Sequence, residues 1–363
     1  MGPLCTNMDQ FIYFYNRQEE KNMRVVNSRL AIVLASLVTM IATAITPVQA
    51  ADSKQYILAT ATTGGTFYPV GVALATLTKV KLEPKEKIGM SAISSAGSGE
   101  NIKLLKENQA QFAILQALYG SWAWNGKGEM ETSGAQKHLR SVTMLWQNVE
   151  HFTIKSDRVK SGNMDDLKAF NGAKFSIGKR NSGSEGSARH ILAALGTDPE
   201  KTFDVVYLGY GPSADAMQNG TIAGMNTPAG SPVGAVSRAF ANMGDEIRVL
   251  DFTDKQLKKI NKEADLWSRF TIPAGTYPGQ NKDINTVAQP NVMVVRDDVD
   301  EESVYQITKT IYENLPFLNG IHKATNVMAL EKAIVGLPMP LHAGAARYYA
   351  EMGVKIPKHL IAK

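Results

Sequence analysis

The chain of 363 residues reads as an α/β protein folded into two doubly wound lobes around a ligand cleft. Three observations predict this. Short β-branched runs alternate with longer helical patterns, and several strand-to-helix junctions carry Gly, Ser and Thr at the same topological position. In addition, 313 of the 363 residues remain after an N-terminal leader of 50, more than one hydrophobic core usually supports.

The leader comes first. Arg24 and Arg29 supply a positive region, Leu30 to Ile45 an apolar run, and Pro47-Val48-Gln49-Ala50 a helix break with a small-residue cleavage site. The run is short, is interrupted by Ser36, Thr39 and Thr43, and has no stop-transfer charges behind it, so an export signal is expected rather than a stable membrane insertion. Residues 1–22 are not signal-like, which makes Met23 a better start than Met1. With 1–50 removed, the mature protein is placed in the periplasm. The only cysteine, Cys5, precedes the signal, so no disulfide, thiol nucleophile or lipid-modified cysteine is expected. Residues 1–50 hold four basic and three acidic residues, so the net charge of +5 falls to +4. That small excess argues against nucleic acid as a partner, and a monomer is expected.

The elements then follow in order. YILAT (56–60) is a strand, 69–79 a helix, KIGMSAI (87–93) a second strand, SGSGENIKLLKENQA a helix, and QFAILQA (111–117) a third strand. This is a βαβαβ unit with a parallel sheet and a crevice at the carboxyl ends of its strands. A second such unit runs through FTIKSD, FSIG, a helix to Leu195, VVYLG, the helix SADAMQNG, IAGMN, a helix over 233–243 and IRVLDF. A further helix, the strand VAQPNVMVV and helices within 301–315, 326–335 and 341–352 close the chain. Crossings near Trp146 to Glu150 and near Asp251 to Asp254 assign 51–148 and 253–363 to lobe 1 and 149–252 to lobe 2, the layout of a hinged clamp.

Three loops carry the candidate chemistry. In ATTGGTFYP, Gly64 and Gly65 let backbone amides approach a ligand and Thr62, Thr63, Thr66 and Tyr68 offer hydroxyls. Ser94, Ser95 and Ser98 with Gly97 and Gly99 open the second helix, and Ser182, Gly183 and Ser184 open the third. Helix N-termini present unpaired N–H donors and about half a positive charge, so three together would cradle an anion. Taken singly, each loop is equally an ordinary cap or turn. The first lacks the Lys-Ser or Lys-Thr of a phosphate loop. Tyr119, Trp122 and Trp124 read either as an apolar wall of the site or as helix packing.

The stretches GGTFYPVGVALA, SAGSGENIKLL, SGSEGSARHIL, IPAGTYPGQNKDINTVAQPNVMVV and GLPMPLHAGAARYYAE resemble the solute-binding subunit of the TAXI class of TRAP (tripartite ATP-independent periplasmic) transporters, in order and over nearly all of the mature chain. The resemblance implies a bilobed periplasmic-binding-protein-like fold. It also implies capture of a small organic anion or amino acid and its delivery to a membrane permease, with no catalytic residues and no cofactor. Carried over residue by residue, it implies a pocket from Gly65, Thr66, Tyr68, Ser98, Ser182, Gly183 and Ser184, with Tyr277 near the cleft and the turn Thr227 to Ser231, including Gly230, closing it. For Thr227 and Tyr277 a structural role competes. Where the family shows Gln-Ser-Asp, this chain has Gln116-Ala117-Leu118, which keeps an amide at Gln116 and loses a carboxylate that could face a ligand ammonium. An acidic ligand without an amine is therefore expected, with Lys179 and Arg180 available as positive charge. A binding protein of an ABC importer or of a sensor is the alternative, and an exported hydrolase a distant third. The six histidines show no metal-binding spacing and no GxSxG elbow is present.

Overall fold

The computed structural model describes residues 53–263 and 265–362; the expected export signal lies outside them. The order is β1 (Lys54–Ala59), α1 (Phe67–Glu86), β2 (Ile88–Ile93), α2 (Ser98–Lys106), β3 (Phe112–Gln116), α3 (Ala117–Asn125), β4 (Leu139–Val149), β5 (Phe152–Lys155), β6 (Lys174–Ser176), α4 (Gly183–Ala194), α5 (Pro199–Thr202), β7 (Asp204–Val206), α6 (Tyr210–Gln218), β8 (Gly224–Asn226), α7 (Gly234–Met243), β9 (Ile247–Val249), α8 (Asp254–Ile260), β10 (Ser268–Ile272), β11 (Ile284–Arg296), α9 (Glu301–Glu313), α10 (Leu315–Ile321) and α11 (Ala343–Glu351). None of the described helices is long and apolar enough to cross a membrane.

The strands form two sheets, each with helices packed on it, so the fold is bilobed α/β. The first has the order β10-β11-β3-β1-β2 with β4 on the other edge of β11; the second has the order β7-β6-β8-β5-β9. β1, β2 and β3 are parallel, as the βαβαβ reading requires. In the second sheet only β6, β7 and β8 are parallel; β5 runs antiparallel to both its neighbours. The chain changes sheet between Val149 and Phe152 and returns between Val249 and Ser268.

β11 joins the parts. Its residues 284–288 pair with β10 and residues 291–295 with β3. Pro290, which has no N–H to donate, falls in the gap between these stretches, so neither ladder loses a bond there. The helix expected over 326–335 is instead two 3-10 turns, Lys323–Val327 and Leu330–Lys332. The carbonyl of Ala333 is taken by Met144 N (2.7 Å) and Thr143 Oγ1 (3.3 Å) of β4 and is not free for a helical ladder.

Asn101, fully buried, ties the first sheet to its loops. Its Nδ2 donates to the carbonyls of Thr60 (2.7 Å) and Ile114 (2.9 Å), and its Oδ1 accepts from Ser95 Oγ (2.6 Å). One side chain thus fixes the ends of β1 and β3 and the entry to α2. This places the loops after the strands where their amides face the second sheet.

Candidate ligand cavity

One cavity lies where the two sheets' helices meet, and the caps of four helices line it. Thr66 and Phe67 open α1, Gly97 and Ser98 open α2, Ser182, Gly183 and Ser184 open α4, and Gly209 and Tyr210 open α6. Each terminus carries about half a positive charge, and Lys179 adds a full one. No Asp or Glu lines the cavity. The space left between the closed halves is about 30 Å³, room for two or three waters, so the halves must part to admit a larger ligand.

Local chemistry sets each cap. Gly97 stands at φ 129°, open to glycine and strained for other residues, and its N–H donates to Ser95 Oγ (3.0 Å). Ser182 accepts from Glu185 N (3.1 Å), the ordinary N-cap bond, which leaves the amides of Gly183 and Ser184 at the open end of α4. Ser98 Oγ accepts from Gln116 N (3.1 Å) and so locks α2 to the end of β3. Gln116 is 2% exposed and lines the cavity, and its Oε1 has no hydrogen-bond partner among the described residues. Tyr210 bridges Ser184 Oγ (2.7 Å) and the carbonyl of Pro228, and burial raises its phenol pKa.

Contacts between the two halves run through glycines. A Cβ on Gly65 would lie 3.0 Å from Cε2 of Tyr210, and one on Gly99 would lie 2.6 Å from the carbonyl oxygen of Asn181. That carbonyl already accepts from Glu100 N at 2.9 Å. Thr66 Oγ1 donates to the carbonyl of Gly230 (2.9 Å). The halves are closed upon each other to backbone distance.

Of the residues expected from the sequence, Gly65, Thr66, Ser98, Gln116, Ser182, Gly183 and Ser184 face this single cavity. Four stand elsewhere. Tyr68 is half-buried on the first turn of α1 and is not part of the lining. Thr227 is fully buried behind the wall, its N–H donating to His151 O (3.2 Å). Gly230 contributes its carbonyl to Thr66 and lies against Trp146. Tyr277 is in the core beside the second sheet, stacked on Phe240 at 5.5 Å and bonded to Val233 N (3.1 Å) and His151 Nε2 (2.7 Å). Lys179 lines the cavity, whereas Arg180 lies over the ring of Tyr207 at 3.7 Å. Tyr119, Trp122 and Trp124 pack in or against the first core and are absent from the lining, the packing reading of those aromatics.

The sequence reading missed Tyr210 because it began that helix at Ser213. Pro212 is the signal that could have found it, since proline is tolerated in a first helical turn and moves the start upstream. Among the described residues no group of three or more His, Cys, Asp or Glu could hold a metal ion.

Several solved structures are similar to this chain at low identity. One is the alkanesulfonate-binding protein SsuA from Xanthomonas axonopodis pv. citri bound to MOPS, with 12% identity, 86% of this chain and 98% of that chain covered, and a TM-score of 0.45. A binding protein component of an ABC phosphonate transporter from Pseudomonas aeruginosa has 12% identity, 74% and 78% coverage and a TM-score of 0.46. The GluR0 ligand-binding core from Nostoc punctiforme, in complex with L-glutamate, has 11% identity, 74% and 98% coverage and a TM-score of 0.43. The family description that matches is the NMT1-like family, over residues 58–353, and the chain belongs to that family.

Proposed function

We propose that this protein is a solute-binding protein that captures a small organic anion between its two halves and delivers it to a membrane transporter. The observation that carries the reading is the convergence of four helix N-termini and Lys179 on one cavity without a lining carboxylate. Gly65, Thr66, Ser98, Gln116, Ser182, Gly183 and Ser184 hold the ligand, Tyr210 walls it, and Tyr68, Thr227, Gly230 and Tyr277 act from behind. Lobe 1 comprises 51–148 and 253–363, lobe 2 comprises 149–252, and closure over the anion presents a composite surface to the transporter. The site is a carrier's and not an enzyme's, and the mature protein works in the periplasm after loss of its leader.

The ligand class is refined by what the wall lacks. A ligand ammonium would be buried without a carboxylate partner, at a cost of several kcal/mol. Keto or hydroxy dicarboxylates and similar amine-free acids are therefore favoured over α-amino acids. The cavity does not name the transporter. An ABC-type importer is one reading. The TRAP permease suggested by the sequence motifs is the second reading. Uptake by protein and permease together in vesicles separates them, since the first requires ATP and the second an ion gradient.

The binding test is a thermal-shift and calorimetric screen of organic acids and amino acids on protein stripped of co-purified ligand by unfolding and refolding. Stabilisation by amine-free acids is expected. Tight glutamate binding with no response to 2-oxoglutarate, malate or similar acids refutes the ligand class, and no response to any anion refutes the site.

A further inference from the structure

A carboxyl group with no cation partner among the described residues sits one layer behind the cavity wall. Glu150 lies in the link between β4 and β5 with no exposed surface. It accepts from Asn226 Nδ2 (3.1 Å) and Trp267 Nε1 (3.5 Å), and the side chains of Ser187 and Gln289 stand beside it. These neighbours connect it to the cavity on three sides. Ser187 is one turn below the lining Ser184, Asn226 is two residues before the lining Pro228, and Gln289 Oε1 accepts from Leu118 N just past Gln116.

The other groups packed around it leave it uncompensated. His151 turns its ring to Tyr277 and to the carbonyl of Val149, and burial lowers its pKa to about 4, so it stays neutral. His190 is stacked on Trp267 at 5.0 Å, and Arg189 is committed to Glu185 and Glu200. Tyr210, which lines the cavity, is close enough to Glu150 for the carboxylate charge to act on its phenol.

We propose that Glu150 is a proton-binding counterpart of the ligand site: capture of an anion draws a proton from solvent, up to one per ligand when Glu150 starts ionised, and converts the Glu150 carboxylate to the neutral carboxyl. This rests on the anion reading above. An anion in the cavity and a carboxylate behind its wall repel each other through a low-dielectric interior, and protonation removes the repulsion. Burial raises the carboxyl pKa to about 7, so the group is half-ionised near neutral pH and responds to a nearby charge.

The test uses propanesulfonate, glutarate and 2-oxoglutarate as probes, all ionised from pH 6.5 upward. Calorimetry at pH 7 in two buffers of different ionisation enthalpy reads proton uptake. For a tenfold fall in Glu150 acidity on binding, about 0.4 proton enters per ligand, and affinity weakens about sixfold from pH 6.5 to 8.5. In Glu150→Gln both effects vanish. A readout without ligand exists as well. A carboxyl whose folded pKa exceeds its unfolded value makes stability fall as pH rises from about 4.5 to 7, and the variant lacks that fall. Binding without proton uptake, or uptake retained in Glu150→Gln, overturns the proposal alone. Binding of none of the three probes overturns it together with the anion reading. If the variant does not fold, the two-buffer comparison on the native protein decides.

Discussion

Gly186→Ala separates closure from ligand contact, because Gly186 lies on α4 outside the cavity lining and faces Tyr119 of α3 across the interface. A Cβ there would meet the ring, with Oη at 2.5 Å and Cζ at 2.8 Å. Ordinary contact begins near 3.5 Å, so the shortfall is about 1 Å. Tyr119 cannot swing away freely, since it is 2% exposed and packed edge-on to Trp122 at 5.1 Å. Overpacking of this kind costs about 1–3 kcal/mol, which weakens affinity about 5- to 150-fold if the clash exists only in the closed state. In the open state the substitution acts in the opposite direction, because alanine in place of a helical glycine adds about 0.5–1 kcal/mol. Melting of ligand-free protein and calorimetry with the best acid from the screen are the paired measurements, and Tyr119→Leu in the same background should recover affinity. Wild-type affinity in Gly186→Ala, or a loss of ligand-free stability that matches the loss of affinity, refutes the reasoning.

Three other predictions follow from the same geometry. Lys179→Gln should weaken anion binding two- to fivefold, about 0.5–1 kcal/mol for a partly solvated charge, and flatten the salt dependence measured by calorimetry. Asn101→Ala removes a donor from the buried carbonyls of Ile114 and Thr60, of which Thr60 keeps Ser95 Oγ (3.0 Å), and should cost about 1–3 kcal/mol in urea unfolding, with the larger part of the loss independent of ligand. Partial burial opposes ionisation of Asp300, yet its bonds to Lys54, Ser303 and Tyr56 outweigh this and hold its carboxyl well below the usual carboxylate range. A depressed pKa means that its contribution is present above the unfolded value and is lost as pH falls, so the melting difference between wild type and Asp300→Asn should shrink from pH 7 to pH 3.

The first sheet's βαβαβ unit was legible because its strands are apolar runs bounded by Gly and Ser turns, and those turns are the caps of α1 and α2. β4 was not. Its eleven residues alternate irregularly, and Ser141, Thr143 and Asn148 are fully buried in spite of their polarity. Ser141 Oγ donates to the carbonyl of Met339 (2.9 Å) and Thr143 shares a bond with Tyr312 (2.6 Å), partners 198 and 169 residues away. A pattern search over neighbouring residues cannot register polar side chains that distant backbone and hydroxyls satisfy. The same limit hid the fourth helix terminus and the buried Glu150. The cap of α6 is recognisable only once Pro212 is allowed inside the helix, and Glu150 reads as an ordinary surface acid until the crossover between the sheets encloses it. What local sequence reveals here is therefore the set of amides that can face an anion. What it conceals is the electrostatic background behind them, and that background decides whether the anion is captured alone or with a proton.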